Sequence, residues 1–360
     1  MLKHANILRF GTQSATTLLL MMLLAVGVRA ENQPQISVQR DIVYRTINGE
    51  ELKLDLAAPV TPGKYPLIIC IHGGAWHMGD KTRFTGMVEN LARHNYVAAT
   101  LNYRLAPKVK YPAPYEDIKT GLTFLKLHAD KYHIDVEHVG GTGESAGSNM
   151  AILLAFKEAA AELTDKGVHK NALQSMKMQA IVNYYSPIDL TCCEASPMVD
   201  FLWMNHFKQT MRQSLLTFAD SKDLADPNIR AMSPINFVNE KCPPILTFHG
   251  TKDPVVPFMQ AELLHQALKK VGVPQKLVSV EEGAHGGWPE ESKKNADQQA
   301  IEFFDHYLKG LEFKPETTKT GDRGILPAIQ KASAKTPLDS ARSNTIGNSS
   351  IPSNSPKALQ

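Results

Sequence analysis

The chain has 360 residues, 43% of them hydrophobic and 21% charged, with a formal net charge of +3. That balance suits an ordinary globular protein of one large domain or two smaller ones. It excludes a strongly basic nucleic-acid groove and the choice of a partner by bulk electrostatics.

The first 30 residues read as a targeting segment. Lys3, His4 and Arg9 precede an apolar run, Thr17 to Val28, and Val28-Arg29-Ala30 has small residues at the two positions a signal peptidase reads. The run is shorter than the roughly 20 residues that span a bilayer. Residues 1–30 are therefore expected to be a cleaved signal peptide, leaving an exported, periplasmic or secreted protein with no stable membrane span.

From residue 31 to 312 strand and helix signals alternate. Strand-like runs fall at Ile36 to Tyr44, Leu52 to Ala57, Leu67 to Ile71 and Val97 to Leu101, then at His138 to Gly141, Ala180 to Tyr184, Ile245 to His249 and Lys276 to Val280. Several are short continuous apolar runs, as expected of strands buried on both faces. Helical patterns lie at Phe84 to Arg93, Pro114 to Lys131, Ser145 to Leu163, Met259 to Val271 and Glu290 to Leu308. This alternation predicts an α/β fold, with a mostly parallel sheet and helices on both faces. Asn48-Gly49 predicts a hairpin turn between the first two strands. Residues 191–235 break the rhythm with a Met-, Phe- and Trp-rich stretch that includes Trp203, and read as a small helical cap over a pocket. Residues 313–360 are rich in Ser, Asn, Pro and Lys and read as a disordered tail.

The cysteines are Cys70, Cys192, Cys193 and Cys242. Cys70 sits in a buried-strand pattern. Export leaves a disulfide from Cys192 or Cys193 to Cys242 open. No Cys/His cluster has zinc-site spacing, so neither a metal nor a cofactor is expected.

Gly143-Glu144-Ser145-Ala146-Gly147 fits G-x-S-x-G, with a strand before it and an apolar helix after it. That context predicts a sharp strand-to-helix turn that exposes one hydroxyl, with small residues two positions away on either side. A serine needs a base to take its proton and an acid to orient that base. Downstream, Asp253 lies just past a strand end in HGTKDPVV, and His285 lies in a glycine-rich loop after the next strand. Because each follows a strand end, both are expected at the carboxyl edge of the sheet, on the side of Ser145, where open α/β sheets bind ligands. Asp189 is a weaker alternative for the acid. His249 reads as a structural residue, His265 as a solvated surface histidine. After the strand Leu67 to Ile71, the sequence His72-Gly73-Gly74-Ala75-Trp76 lets the backbone approach a substrate. The N–H groups of Gly74, Ala75 and Ala146 are the expected oxyanion donors. Trp76, Glu144 and Trp203 are candidate pocket residues.

HGGAW, LNYRLAP, YPAPYEDIKTGLTFL, GESAG, HGTKDPVVP and EEGAHG stand in the order found in α/β-hydrolase serine esterases. Over roughly residues 40 to 310 the chain resembles the hormone-sensitive-lipase-like carboxylesterases and the bacterial xylan-acetyl and feruloyl esterase group. The resemblance implies a doubly wound sheet of about eight strands, with Ser145 as nucleophile, Asp253 as acid and His285 as base. Many relatives carry a third glycine where Ala75 stands; alanine keeps its N–H but adds a methyl to the pocket. The short stretch before the first strand favours the xylan-acetyl or feruloyl group. The expected activity is hydrolysis of carboxylic esters with short or medium acyl groups, including acetyl or feruloyl esters of carbohydrates. The alternatives are an amidase or peptidase of the same fold and a non-catalytic binding protein.

Overall fold

The computed structural model describes residues 34–164, 175–192 and 212–313. The chain divides into the units Met1–Asp322 and Arg323–Gln360, and every described residue belongs to the first. The expected signal peptide, Trp203, Cys193 and the tail from residue 314 lie outside the described residues. In chain order the elements are β1 (Ile36–Ile47), β2 (Glu50–Pro59), β3 (Tyr65–Ile71), α1 (Thr85–Arg93), β4 (Val97–Leu101), α2 (Ala113–Leu127) and β5 (Ile134–Glu144). Then follow α3 (Ala146–Thr164), β6 (Ala180–Tyr184), β7 (Ile245–Gly250), α4 (Met259–Lys270), β8 (Gln275–Val280) and α5 (Glu290–Lys309).

The strands form one eight-stranded sheet in the order β1-β2-β4-β3-β5-β6-β7-β8. β1 pairs antiparallel with β2, and β2 antiparallel with β4. From β4 to β8 every pairing is parallel. The hairpin between β1 and β2 turns at Asn48 (φ 50°) and Gly49 (φ 82°). Two successive positive φ values are what a tight two-residue turn requires, and Asn-Gly accepts them with least strain.

Side chains alternate across each strand, and the apolar runs fill both faces. On β3, Leu67, Ile69 and Ile71 point into one core while Ile68 and Cys70 point into the other. The first core is closed by Ile118, Leu122 and Leu125 of α2, the Met150–Phe156 stretch of α3, and Leu264 and Leu268 of α4. The second is closed by Val88 and Leu91 of α1 and by Phe303, Phe304 and Leu308 of α5. Each fully buried Leu, Ile or Phe contributes about 1.5–3 kcal/mol. The result is the doubly wound, mostly parallel sheet that the sequence predicts. It also fixes every parallel strand's carboxyl end on one edge.

Some expectations shift. The helix expected to run to Lys131 ends at Leu127, because His128 leaves helical geometry (φ −105°, ψ 24°). A single turn, Ala129–Tyr132, follows and stops at His133 (φ 59°) so that the chain can enter β5. His265 is not a solvated histidine. It is 6% exposed, because α4 lays it against β8, where its Nδ1 meets the Gln275 side chain. Burial pushes its pKa down to about 4, so it stays neutral. Cys70 and Cys242 are free buried thiols, while Cys193 and the Cys192 side chain lie outside what the structure describes. The Cys242 Sγ lies 3.6 Å from the Phe237 carbonyl.

Candidate active site

β5 delivers Glu144, α3 starts at Ala146, and Ser145 stands between them at φ 52°. A left-handed non-glycine residue costs about 1–3 kcal/mol and persists only where its surroundings enforce it. Here the Ser145 N–H donates to the Tyr184 carbonyl at 2.9 Å, and the Asn149 N–H donates to the Ser145 carbonyl at 3.0 Å. The flanking glycines are sterically required. A Cβ on Gly147 would lie 2.1 Å from the Ile71 carbonyl oxygen, and one on Gly143 2.7 Å from the backbone of Gly147 and Ser148. The turn is thus packed backbone against backbone.

The loop after β3 is built the same way. Gly74, Ala75 and Trp76 have successive φ values of 116°, 51° and 64°. A Cβ on Gly74 would lie 2.1 Å from the Met78 carbonyl oxygen, and one on Gly73 2.7 Å from the Glu144 carbonyl oxygen. The Gly74 carbonyl accepts the N–H groups of His77 and Met78, each at 3.0 Å. Below the loop His72 is buried and stacked on Tyr103 at 4.3 Å, and the Tyr103 hydroxyl donates to the His72 carbonyl at 2.9 Å.

Across the sheet edge, Asp253 follows β7. Its Oδ1 accepts the N–H groups of Val255 at 2.8 Å and Val256 at 2.9 Å. Its Oδ2 faces His285 Nδ1 at 2.7 Å. Burial pushes the Asp253 carboxyl up, but the facing His249 and His285 imidazoles pull it down further, to about 2, so it is ionised. The His285 side chain remains 19% exposed while that of Asp253 is fully buried. The imidazole also meets the ring of Tyr185, centroids 4.6 Å apart. The Tyr185 hydroxyl donates to Glu144 Oε2 at 2.9 Å, and Arg83 Nε bonds the other Glu144 oxygen. One polar chain therefore runs from the residue before Ser145 to the ring beside His285. Among the described residues no hydrogen bond joins the Ser145 hydroxyl to His285. Such bonds are often long in unliganded proteins and tighten with substrate.

Ser145 opens on a pocket of about 660 Å³, mouth included. Ala75, Trp76 and Ala146 line it, with Leu190, Leu215 and Val255 among its apolar walls and Arg212 as a charged one. Trp76 is buried and stacked on Phe218 at 5.1 Å. Glu144 is not in that lining; it is turned away to Arg83 and Tyr185. Gly74 also stands outside the lining and shapes the loop that carries Ala75. Asp189 is not the partner of His285. Its Oδ1 accepts the Thr191 N–H and hydroxyl in its own turn. Sequence reasoning missed Tyr185 and the Gln260 amide. Gln260 Oε1 accepts the N–H groups of Ile188 and Asp189, each at 2.8 Å, and so fixes the wall around Pro187 and Leu190. Neither residue belongs to a motif read from the sequence.

Comparisons with known proteins agree with this architecture. The esterase LipQ of Mycobacterium tuberculosis is 28% identical over 242 residues, 64% of this chain and 53% of that protein. The isoprenylcysteine alpha-carbonyl methylesterase ICME of Arabidopsis thaliana is 25% identical over 243 residues, 67% of this chain and 55% of that protein. The chain spans about half the length of the curated relatives it matches. Among solved structures, a truncated carbohydrate esterase from gut microbiota has a TM-score of 0.60 at 22% identity, covering 78% of this chain and 99% of that one. Esterase 2 of Thermogutta terrifontis with bound butyrate has a TM-score of 0.59 at 22% identity, covering 79% and 98%. At such identities the likeness shows the fold, which is that of the α/β-hydrolases. The dienelactone hydrolase family model matches residues 229–311. The BD-FAE family model matches residues 54–268, more than half of the chain, and the chain belongs to that family.

Proposed function

We propose that this chain is an exported serine hydrolase that cleaves carboxylic esters. The observation that carries the reading is the 2.7 Å contact of Asp253 with His285, at the same sheet edge as the left-handed Ser145. In this reading His285 Nε2 takes the proton of Ser145 as its Oγ attacks the ester carbonyl. Asp253, held ionised by its partners, keeps the other ring nitrogen protonated and steadies the imidazolium. The tetrahedral oxyanion rests on backbone N–H groups of Gly74, Ala75 and Ala146. Removing one such donor typically costs about 3–4 kcal/mol of barrier lowering. His285 then protonates the leaving alcohol, and in the second half-reaction it activates the water that releases the acid.

The acyl group lies in the apolar pocket beside Trp76, Leu190 and Leu215, which suits short or medium chains. Acetyl or feruloyl esters of carbohydrates are the proposed natural class. The family match supports that class, as does the likeness to a carbohydrate esterase. Residues 191–192 and 212–235 form the described part of the proposed cap, and Arg212 and Leu215 supply its wall to the pocket. The test is labelling by a fluorophosphonate probe, beside hydrolysis of nitrophenyl esters of rising chain length, acetyl-xylan, a feruloyl ester and a matched amide. Ser145 is expected to take the label and the ester to outpace the amide. An unlabelled wild type, or a Ser145→Ala variant with full activity, would end the proposal.

A further inference from the structure

His249 is the penultimate residue of β7, four residues before Asp253, and is completely buried. Its Nε2 lies 2.8 Å from the Val256 carbonyl. A carbonyl oxygen only accepts, so Nε2 carries the proton. The same Nε2 is 3.4 Å from Asp253 Oδ2, the oxygen that faces His285. The other ring nitrogen, Nδ1, is buried and has no hydrogen-bond partner among the described residues. A proton on Nδ1 would be a buried donor facing no acceptor, so the geometry assigns the ring N–H to Nε2.

From this geometry we infer that His249 is a positioning residue for the acid–base pair. It pins the turn from Asp253 to Val256 by its bond to the Val256 carbonyl, and it presents a polar N–H edge to the carboxylate oxygen that orients His285. The turn it pins is also the one whose Val255 and Val256 N–H groups hold Asp253 Oδ1. One imidazole therefore controls both the direction of the carboxylate and how much of its charge is left for His285. The ring is braced in turn by Phe258, edge to face at 5.7 Å. The ionisable groups that face the pair are His249 on Asp253, and on the His285 side Tyr185, with Glu144 and Arg83 beyond it. This inference rests on the triad reading above.

The test compares His249→Phe and His249→Gln with wild type on p-nitrophenyl butyrate. Phenylalanine fills the site without a donor; glutamine can place an N–H where Nε2 stood. For His249→Phe we expect kcat to fall about tenfold, the effect of losing one hydrogen-bonding partner near a charged group, with KM little changed. With one donor fewer on Asp253, more negative charge faces His285. The acidic limb of kcat/KM is then expected to move up by about half a pH unit. His249→Gln should restore most of both. A wild-type acidic limb in His249→Phe overturns the inference, as does a glutamine variant no better than phenylalanine. If phenylalanine prevents folding, nitrogen-15 spectra of histidine-labelled wild type decide: a protonated Nε2 and bare Nδ1 at His249 support it, and the reverse tautomer overturns it. Ser145→Ala separates the two levels. Full activity there removes the triad and this inference together, whereas an inactive Ser145→Ala beside an unshifted His249→Phe removes only this inference.

Discussion

The two halves of the site are held by different physics. The turn around Ser145 is fixed by backbone contact: Gly143 and Gly147 leave no room for a Cβ against their neighbours, and the serine is forced to φ 52°. The arm that carries Asp253 and His285 is fixed by hydrogen bonds and charge, through His249, Val255, Val256 and Tyr185. A close-packed wall fails abruptly when atoms are added, because protein interiors have no slack. A polar network fails by degrees as single partners are removed, and it responds to pH. The elbow should therefore be intolerant of volume and the arm sensitive to protonation.

The chemistry gives the largest expected effect. Ser145→Ala should lower kcat by roughly 10⁵-fold or more while leaving the fold intact, as activity assays beside a thermal melt will show. Asp253→Asn should lower kcat by about 10⁴-fold, because the amide favours the wrong tautomer of His285. The same variant probes the pH behaviour of the arm. Asp253 has its carboxyl lowered from 3.8 to about 2 in the folded chain. Its contribution is present above the unfolded value and is lost as pH falls through about 2. It amounts to about 2 kcal/mol, which denaturant melts between pH 5 and pH 2 should detect in wild type and miss in Asp253→Asn.

Gly147→Ala sharpens the contrast from the other side. Its methyl meets the Ile71 and His72 carbonyls at 2.1 and 2.4 Å. We expect a loss of about 3 kcal/mol in stability, the upper end for overpacking, read from the urea midpoint. A Gly147→Ala protein as stable as wild type would contradict a sterically built elbow. The smallest effect is expected at Tyr185→Phe. It keeps the ring against His285 and loses only the bond to Glu144, so kcat should fall by roughly tenfold or less in steady-state assays. A drop as large as that of Asp253→Asn would mean that the turn around Ser145 and the arm are not separable.

Much of this was legible in the sequence. The apolar runs of β3 to β7 and the helices between them announce a parallel sheet, because strands buried on both faces must be apolar throughout. GESAG, HGGAW and the order Ser145, Asp253, His285 carry local backbone demands that only a few residue types meet. Asn48-Gly49 names its own turn for the same reason. What the sequence hid were residues whose role comes from a neighbour far along the chain. Glu144 reads as a pocket residue beside Ser145, yet Arg83 and Tyr185 turn it away. His265 reads as a polar residue on an amphipathic helix, yet β8 covers it.

The sequence by itself determined the fold class, the strand-to-helix turn at Ser145 and the candidates for base and acid, because periodicity, glycine placement and strand-end positions are local properties. Tertiary structure alone decided that Asp253, rather than Asp189, meets His285. It alone put His249 beside that carboxylate and set Tyr185 between His285 and Glu144. Those pairings depend on the order in which strands lie side by side in the sheet. That order is fixed by which apolar faces bury one another across the whole chain.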